Sequence, residues 1–172
     1  MLDQYKIEIK WAVVFILTML LWMCLERVLG WHDEHIDKHM YLTNLFAIPA
    51  ILIYVLALRD KRENDYGGSM TYKQGFMSGL IMTVVITLIT PFAQWIISSV
   101  ITPHYFENAI AYSLETGYHK TLEEAERFFN LKSYLLQATF GAFFMGVLTS
   151  AVVAFFVRSK KSSDSTIDKL TY

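Results

Sequence analysis

Four apolar stretches, at residues 11–29, 40–58, 76–101 and 134–157, decide what this chain can fold into. At about 1.5 Å per helical residue, each is long enough to cross a hydrocarbon layer of roughly 30 Å. A soluble domain of this size has no use for four such runs, so they predict an integral membrane protein. Inside a bilayer every backbone amide must find its partner within the protein, which makes helices the expected form of each run. The predicted class is therefore all-α, an integral membrane four-helix bundle occupying residues 1–158. The tail at 159–172, serines among charges, is expected to be disordered.

The loops predict sidedness. Lys6 and Lys10 precede the first run, Arg59, Lys61, Arg62 and Lys73 lie between the second and third, and Arg158, Lys160, Lys161 and Lys169 follow the fourth. The opposite side holds Arg27, Lys38, Lys120, Arg127 and Lys132 in longer, more acidic loops. The positive-inside rule then gives two hairpins with both termini cytoplasmic. A net charge of -1 without any basic stripe offers no case for nucleic acid. The lipid bilayer is the expected partner, with a homo-oligomer or a second membrane protein as candidates. Cys24 is the single cysteine and is read as a small apolar residue facing lipid or a neighbouring helix.

Between the second and third runs, Gly67-Gly68-Ser69 marks a turn. The loop between the third and fourth is expected to be helical and extracytoplasmic. Pro103 opens a helix that Gly117 ends, Thr121 and Glu124 form a capping box, and Glu123 and Arg127 pair at i,i+4. Two prolines lie within the runs. Pro49 frees the carbonyl of Leu45 and Pro91 that of Thr87, with the hydroxyls of Thr87 and Thr90 placed to help satisfy what is freed.

Small residues at four-residue spacing form a ridge on each of the last two runs. Gly75, Gly79, Thr83 and Thr87 line the third; Ala138, Ala142, Gly146, Ser150 and Ala154 line the fourth. In lipid, helices associate by close packing, so Gly75, Gly79 and Thr83 are predicted to meet Ala142, Gly146 and Ser150. The alternative is that one ridge forms a seam between two copies.

Candidate chemistry is sparse. His32, His35 and His39 fall at i, i+3 and i+7, which on a helix would place three imidazoles on one face beside Asp33, Glu34 and Asp37, ligand types that suit zinc, nickel or copper. All five histidines belong to the predicted outer loops. Glu26, Asn44, Gln94 and Gln137 lie in the outer third of their runs and are candidates either for a shared polar cavity or for amide bonds between helices. No midplane carboxylate or arginine suggests a proton-coupled carrier or voltage sensor, and no histidine lies within a run to ligate haem. No nucleophile elbow accompanies Ser98, Ser99 or Ser113. The expectation is a non-enzyme without a cofactor.

The segment from Gly67 to Gly79 sets a polar glycine loop before an aromatic and a glycine that enter the third run. Ile101-Thr102-Pro103-His104-Tyr105-Phe106-Glu107 follows that run and leads into an acidic helical segment. Over nearly its whole length the chain resembles the family called domain of unknown function 4199. The resemblance implies a small four-span inner-membrane protein of the Bacteroidota group and carries over no catalytic residue. The leading functional expectation is an accessory or scaffold protein acting through helix packing and its outer helical loop. The alternatives are a small transporter or channel, and an outward-facing metal or pH sensor built on His32, His35 and His39.

Overall fold

The computed structural model describes residues 2–159; the tail from Lys160 onward, expected to be disordered, lies outside them. A 3-10 turn at Leu2–Tyr5 leads into α1, Lys6–Val28. After a run of turns comes α2, Ile36–Leu42, joined through a 3-10 turn at Thr43–Phe46 to α3, Ala47–Asp65. α4, Tyr72–Ile96, ends in a π-turn at Ile97–Ile101. Two short helices follow, α5 at Tyr105–Glu115 and α6 at Leu122–Phe128, before α7 at Leu131–Val157. Four helical runs are long and apolar enough to cross a membrane: α1, α2 with α3, α4 with its π-turn, and α7. Their outer faces carry Leu21, Ile48, Leu88, Phe140 and Phe156, all at least 60% exposed. Apolar area on that scale is a surface made for lipid.

The four runs form a ring in the order α1, α3, α7, α4, with α4 and α7 packed along most of their lengths. α1 and α4 run parallel: Ser78 donates to Glu8 near their starts at 2.8 Å, and Arg27 reaches the carbonyl of Ile101 near their ends. α3 and α7 also run parallel, with Arg62 donating to the carbonyl of Val157 at 3.0 Å.

The close approach of α4 and α7 follows from their small residues. A Cβ on Gly75 would stand 3.3 Å from Ala154 Cβ, one on Gly79 would stand 2.7 Å from Ser150 Oγ, and one on Gly146 would stand 2.5 Å from Thr83 Cγ2. Each four-residue step forward along α4 thus matches a four-residue step backward along α7, and Ala142 continues the row against the core. Such contact admits no larger side chain, and dispersion across it is what holds two helices together in lipid. Both ridges face inward, so neither is exposed to form the alternative seam between copies. The hydroxyls on the ridge are also satisfied there. Tyr54 and Thr83 bond at 2.9 Å, Thr83 lies 3.3 Å from Ser150, and Ser150 donates to the carbonyl of Gly146 at 2.7 Å.

The prolines act differently from expectation. Pro49 falls in the first turn of α3, directly after the 3-10 turn, where a missing amide proton is least costly; it marks a joint between helices rather than a mid-helix kink. Near Pro91, Thr87 donates to the carbonyl of Thr83 and Thr90 to that of Ile86, both at 2.8 Å, so neither hydroxyl serves the carbonyl of Thr87.

At the amino-terminal end of the bundle the helices outrun their apolar segments. Glu8 and Lys61 therefore ride on α1 and α3, 2% and 6% exposed, and pair at 2.8 Å. Lys61 also pairs with Asp65 at 2.6 Å, and Trp11 donates to Asp60 at 2.7 Å. The turn at Gly67 and Gly68, φ +57 and +86, returns the chain to α4, whose first turn is closed by a capping box between Thr71 and Gln74. Glycine adopts such left-handed angles without steric cost.

Candidate functional site

At the opposite end, α1 stops at Val28 and Gly30, with φ +72, reverses the chain. Residues 29–35 form consecutive turns, held by Trp31 N–H to the Glu26 carbonyl at 3.0 Å and His35 N–H to the Gly30 carbonyl at 2.8 Å. The expected single helical face for His32, His35 and His39 is therefore not formed. α2 begins only at Ile36, and His35 is left exposed at its amino-terminal boundary.

His32 turns inward instead and is 2% exposed, against Glu26, which is fully buried. His32 Nε2 lies 3.0 Å from Glu26 Oε2. His39, one helical turn into α2, brings Nδ1 to 3.3 Å from the same carboxylate oxygen, off the axis a hydrogen bond needs. The three side chains offer one ligand atom each within 4.8 Å of one another. Trp22 donates to the other oxygen, Oε1, and fixes the plane of the carboxylate.

The cap completes this arrangement. Tyr105, at the start of α5, sets its ring edge-on to both imidazoles, with centroids 5.4 Å from His32 and 5.1 Å from His39. Its hydroxyl meets that of Tyr134 at 3.1 Å. Burial pushes the Tyr105 phenol above its ordinary range, opposed by the Tyr134 hydrogen bond and reinforced by the charge of Glu26. Asn108 donates to the carbonyl of His32 at 3.0 Å and to Asp33 at 2.8 Å, tying α5 to the turn. The expected helix over Tyr105, Ala109 and Tyr112 is thus α5, ended at Gly117 with φ +72. α6 begins at the Thr121 cap, whose hydroxyl accepts from Glu124 N–H at 3.2 Å, and carries the Glu123–Arg127 pair at 2.9 Å.

Beside His39 and Tyr105 lies a cavity of about 780 Å³, bounded by α2 and α7 on the bundle side and by α5 and α6 on the cap side. Its walls are chiefly apolar and aromatic, with Met40, Tyr112, Phe128, Phe129 and Tyr134 among them. Asn44 and Gln137 line it as well, but Glu26 and Gln94 do not. The four polar residues therefore do not share one cavity. Nor do the amides bridge helices: Asn44 donates to the Met40 carbonyl, Gln94 to Ser98 and Gln137 to Ser133, each within its own helical run. Below the cavity, Ile16, Ile53, Tyr54, Met82 and Ile86 fill the middle of the bundle, none more than 7% exposed.

The other histidines stand apart. His104 is exposed beside Glu107 at 3.3 Å, and His119 packs edge-on against Phe129 with ring centroids 5.5 Å apart. The participation of Glu26 had no local signal, because it joins the cluster across Gly30 from a different helix.

The family described as Protein of unknown function (DUF4199) matches residues 10–159, and the chain belongs to that family. No curated protein and no solved structure matches it.

Proposed function

We propose that this family member is a non-catalytic binding protein of the membrane, which holds a lipid-like amphiphile beneath its helical cap. The observation that carries the reading is the cavity of about 780 Å³. Pockets for small molecules run from about 300 to 1,000 Å³, mostly apolar with a few placed polar groups. Aromatic and methionine walls suit an apolar chain, while Asn44, Gln137 and Asp37 offer hydrogen bonds to a polar head. One wall is built from the ends of membrane-spanning helices, which sets the cavity beside the apolar layer from which such a molecule would come.

The packed middle of the bundle supports retention rather than passage, against a carrier or channel. The small-residue ridges are used within the chain, so a partner protein would meet the cap and not the ridges. In the orientation that the positive-inside distribution supports, both termini are cytoplasmic, and the cap stands on the outer side of an inner membrane.

Native mass spectrometry of the full chain, released from membranes in mild detergent, tests this reading. One amphiphile per chain is expected, and Ala138→Trp, which fills the cavity from α7, should abolish it while the protein stays folded. A protein that carries no such mass, or carries it equally in the variant, would contradict the proposal.

A further inference from the structure

We infer that Glu26, His32 and His39 form a binding site for a divalent transition metal of the zinc class, independent of what occupies the neighbouring cavity. The geometry of the donor set is the first ground. Ligands held about 2.0–2.1 Å from a tetrahedral ion stand about 3.3 Å from each other. Glu26 Oε2 is 3.0 Å from His32 Nε2 and 3.3 Å from His39 Nδ1, and the three donors lie within 4.8 Å overall. Two of the three edges already match such a tetrahedron, and the third, between the two imidazoles, is the one an ion would draw in.

The second ground is an unfilled requirement. His39 Nδ1 is buried and, at 3.3 Å from the carboxylate but off its axis, makes no well-aligned hydrogen bond among the described residues. His32, 2% exposed, meets the same carboxylate through Nε2, the nitrogen that would face the ion. A buried polar nitrogen without a partner costs about 1–3 kcal/mol. An ion pair with Glu26 would employ one histidine. It gives no reason for a second imidazole held with its ring centroid 4.8 Å from the first and directed at the same oxygen, and two imidazolium ions there would repel. A cation shared by the three donors accounts for both imidazoles and for the buried carboxylate.

The surroundings complete the argument. Two imidazoles and one carboxylate are a ligand set that zinc takes with a fourth position left open. Trp22 orients the carboxylate from behind, as outer partners of metal ligands do, and Asn108 fixes the His32 backbone. Tyr105 covers both imidazoles and limits water. His39 borders the cavity, which leaves the fourth position to a water or to a donor atom from that side.

The test is titration of the tag-free full chain in detergent with Zn²⁺ alone by calorimetry, with Co²⁺ absorption as the report on coordination geometry. One ion per chain is expected, with a tetrahedral Co²⁺ spectrum. His39→Ala and Glu26→Gln should each weaken binding by at least about 100-fold, more than loss of an outer partner costs. His35→Ala should leave affinity unchanged, which separates this site from general chelation by the loop. His39 lies at the edge of the cluster with its side chain 17% exposed, so His39→Ala decides the matter if Glu26→Gln does not fold. Absence of stoichiometric Zn²⁺ binding in the parent chain, undiminished binding in His39→Ala, or an equal loss in His35→Ala would each overturn the assignment.

Discussion

Gly146 of α7 and Thr83 of α4 leave no room between them: a Cβ on Gly146 would stand 2.5 Å from the threonine methyl carbon and 2.9 Å from the Tyr54 hydroxyl. Three helices meet at that point, which makes the absence of a side chain a structural requirement. Gly141, on the same helix, is exposed, and a Cβ there would meet nothing within 4 Å.

Gly146→Leu should therefore destabilise the protein by about 1–3 kcal/mol, the range of overpacked cores, whereas Gly141→Leu should stay within about 0.5 kcal/mol of the parent. Thermal unfolding in detergent, followed by size-exclusion recovery, measures the difference. Equal tolerance at the two positions would contradict the packing described for α4 and α7.

At the amino-terminal end, Lys61→Met leaves the Glu8 carboxylate buried without its cation. The expected loss is about 3–5 kcal/mol, much of it recovered in the double variant Glu8→Gln with Lys61→Met. Chemical denaturation of the single and double variants checks this. A double variant no better than the single one would mean that the two residues are not coupled.

How much of this was legible in the sequence depends on the range over which each residue acts. The ridges were readable because Gly79 and Ser150 each belong to a regular four-residue row within one helix, and a helix surface preserves that period. His32 and His39 stand out by their spacing, but Gly30 and the turns after it rotate His35 away, a break that a continuous helical reading does not contain. Glu26 looks like a boundary carboxylate because its partners lie beyond that turn. Glu8 and Lys61 look like flanking charges, since hydropathy marks where the apolar residues stop and not where the helix does.

Tyr105 supplies a pH test of the cap. Its phenol is raised above the ordinary value of 10.0 in the folded protein, chiefly by burial, so the fold favours the neutral form. That contribution is fully present below the unfolded value and is lost as pH rises through the folded one. Protection of α5 from hydrogen exchange, taken relative to the unfolded-chain rate at each pH, should fall above pH 10.0, and Tyr105→Phe should reduce this alkaline loss while retaining the ring. An unchanged alkaline loss in the variant would assign it to another group.

Topology has its own check. With Cys24→Ser as background, Gly68→Cys and Lys120→Cys place single thiols at opposite ends of the bundle. A membrane-impermeant maleimide applied to intact cells, with the outer barrier made permeable, should label Lys120→Cys and should reach Gly68→Cys only after lysis. The reverse pattern would invert the orientation.

Whether the capped cavity holds an amphiphile is read out by photolabelling the full chain in detergent with a diazirine-bearing long-chain amphiphile and mapping the labelled residues by peptide mass spectrometry. Saturable labelling of Tyr112, Phe129 and Tyr134 is expected, competed by the unlabelled compound and abolished by Ala138→Trp. Labelling confined to outward residues such as Phe140, Phe144 and Phe156, without saturation, would contradict it.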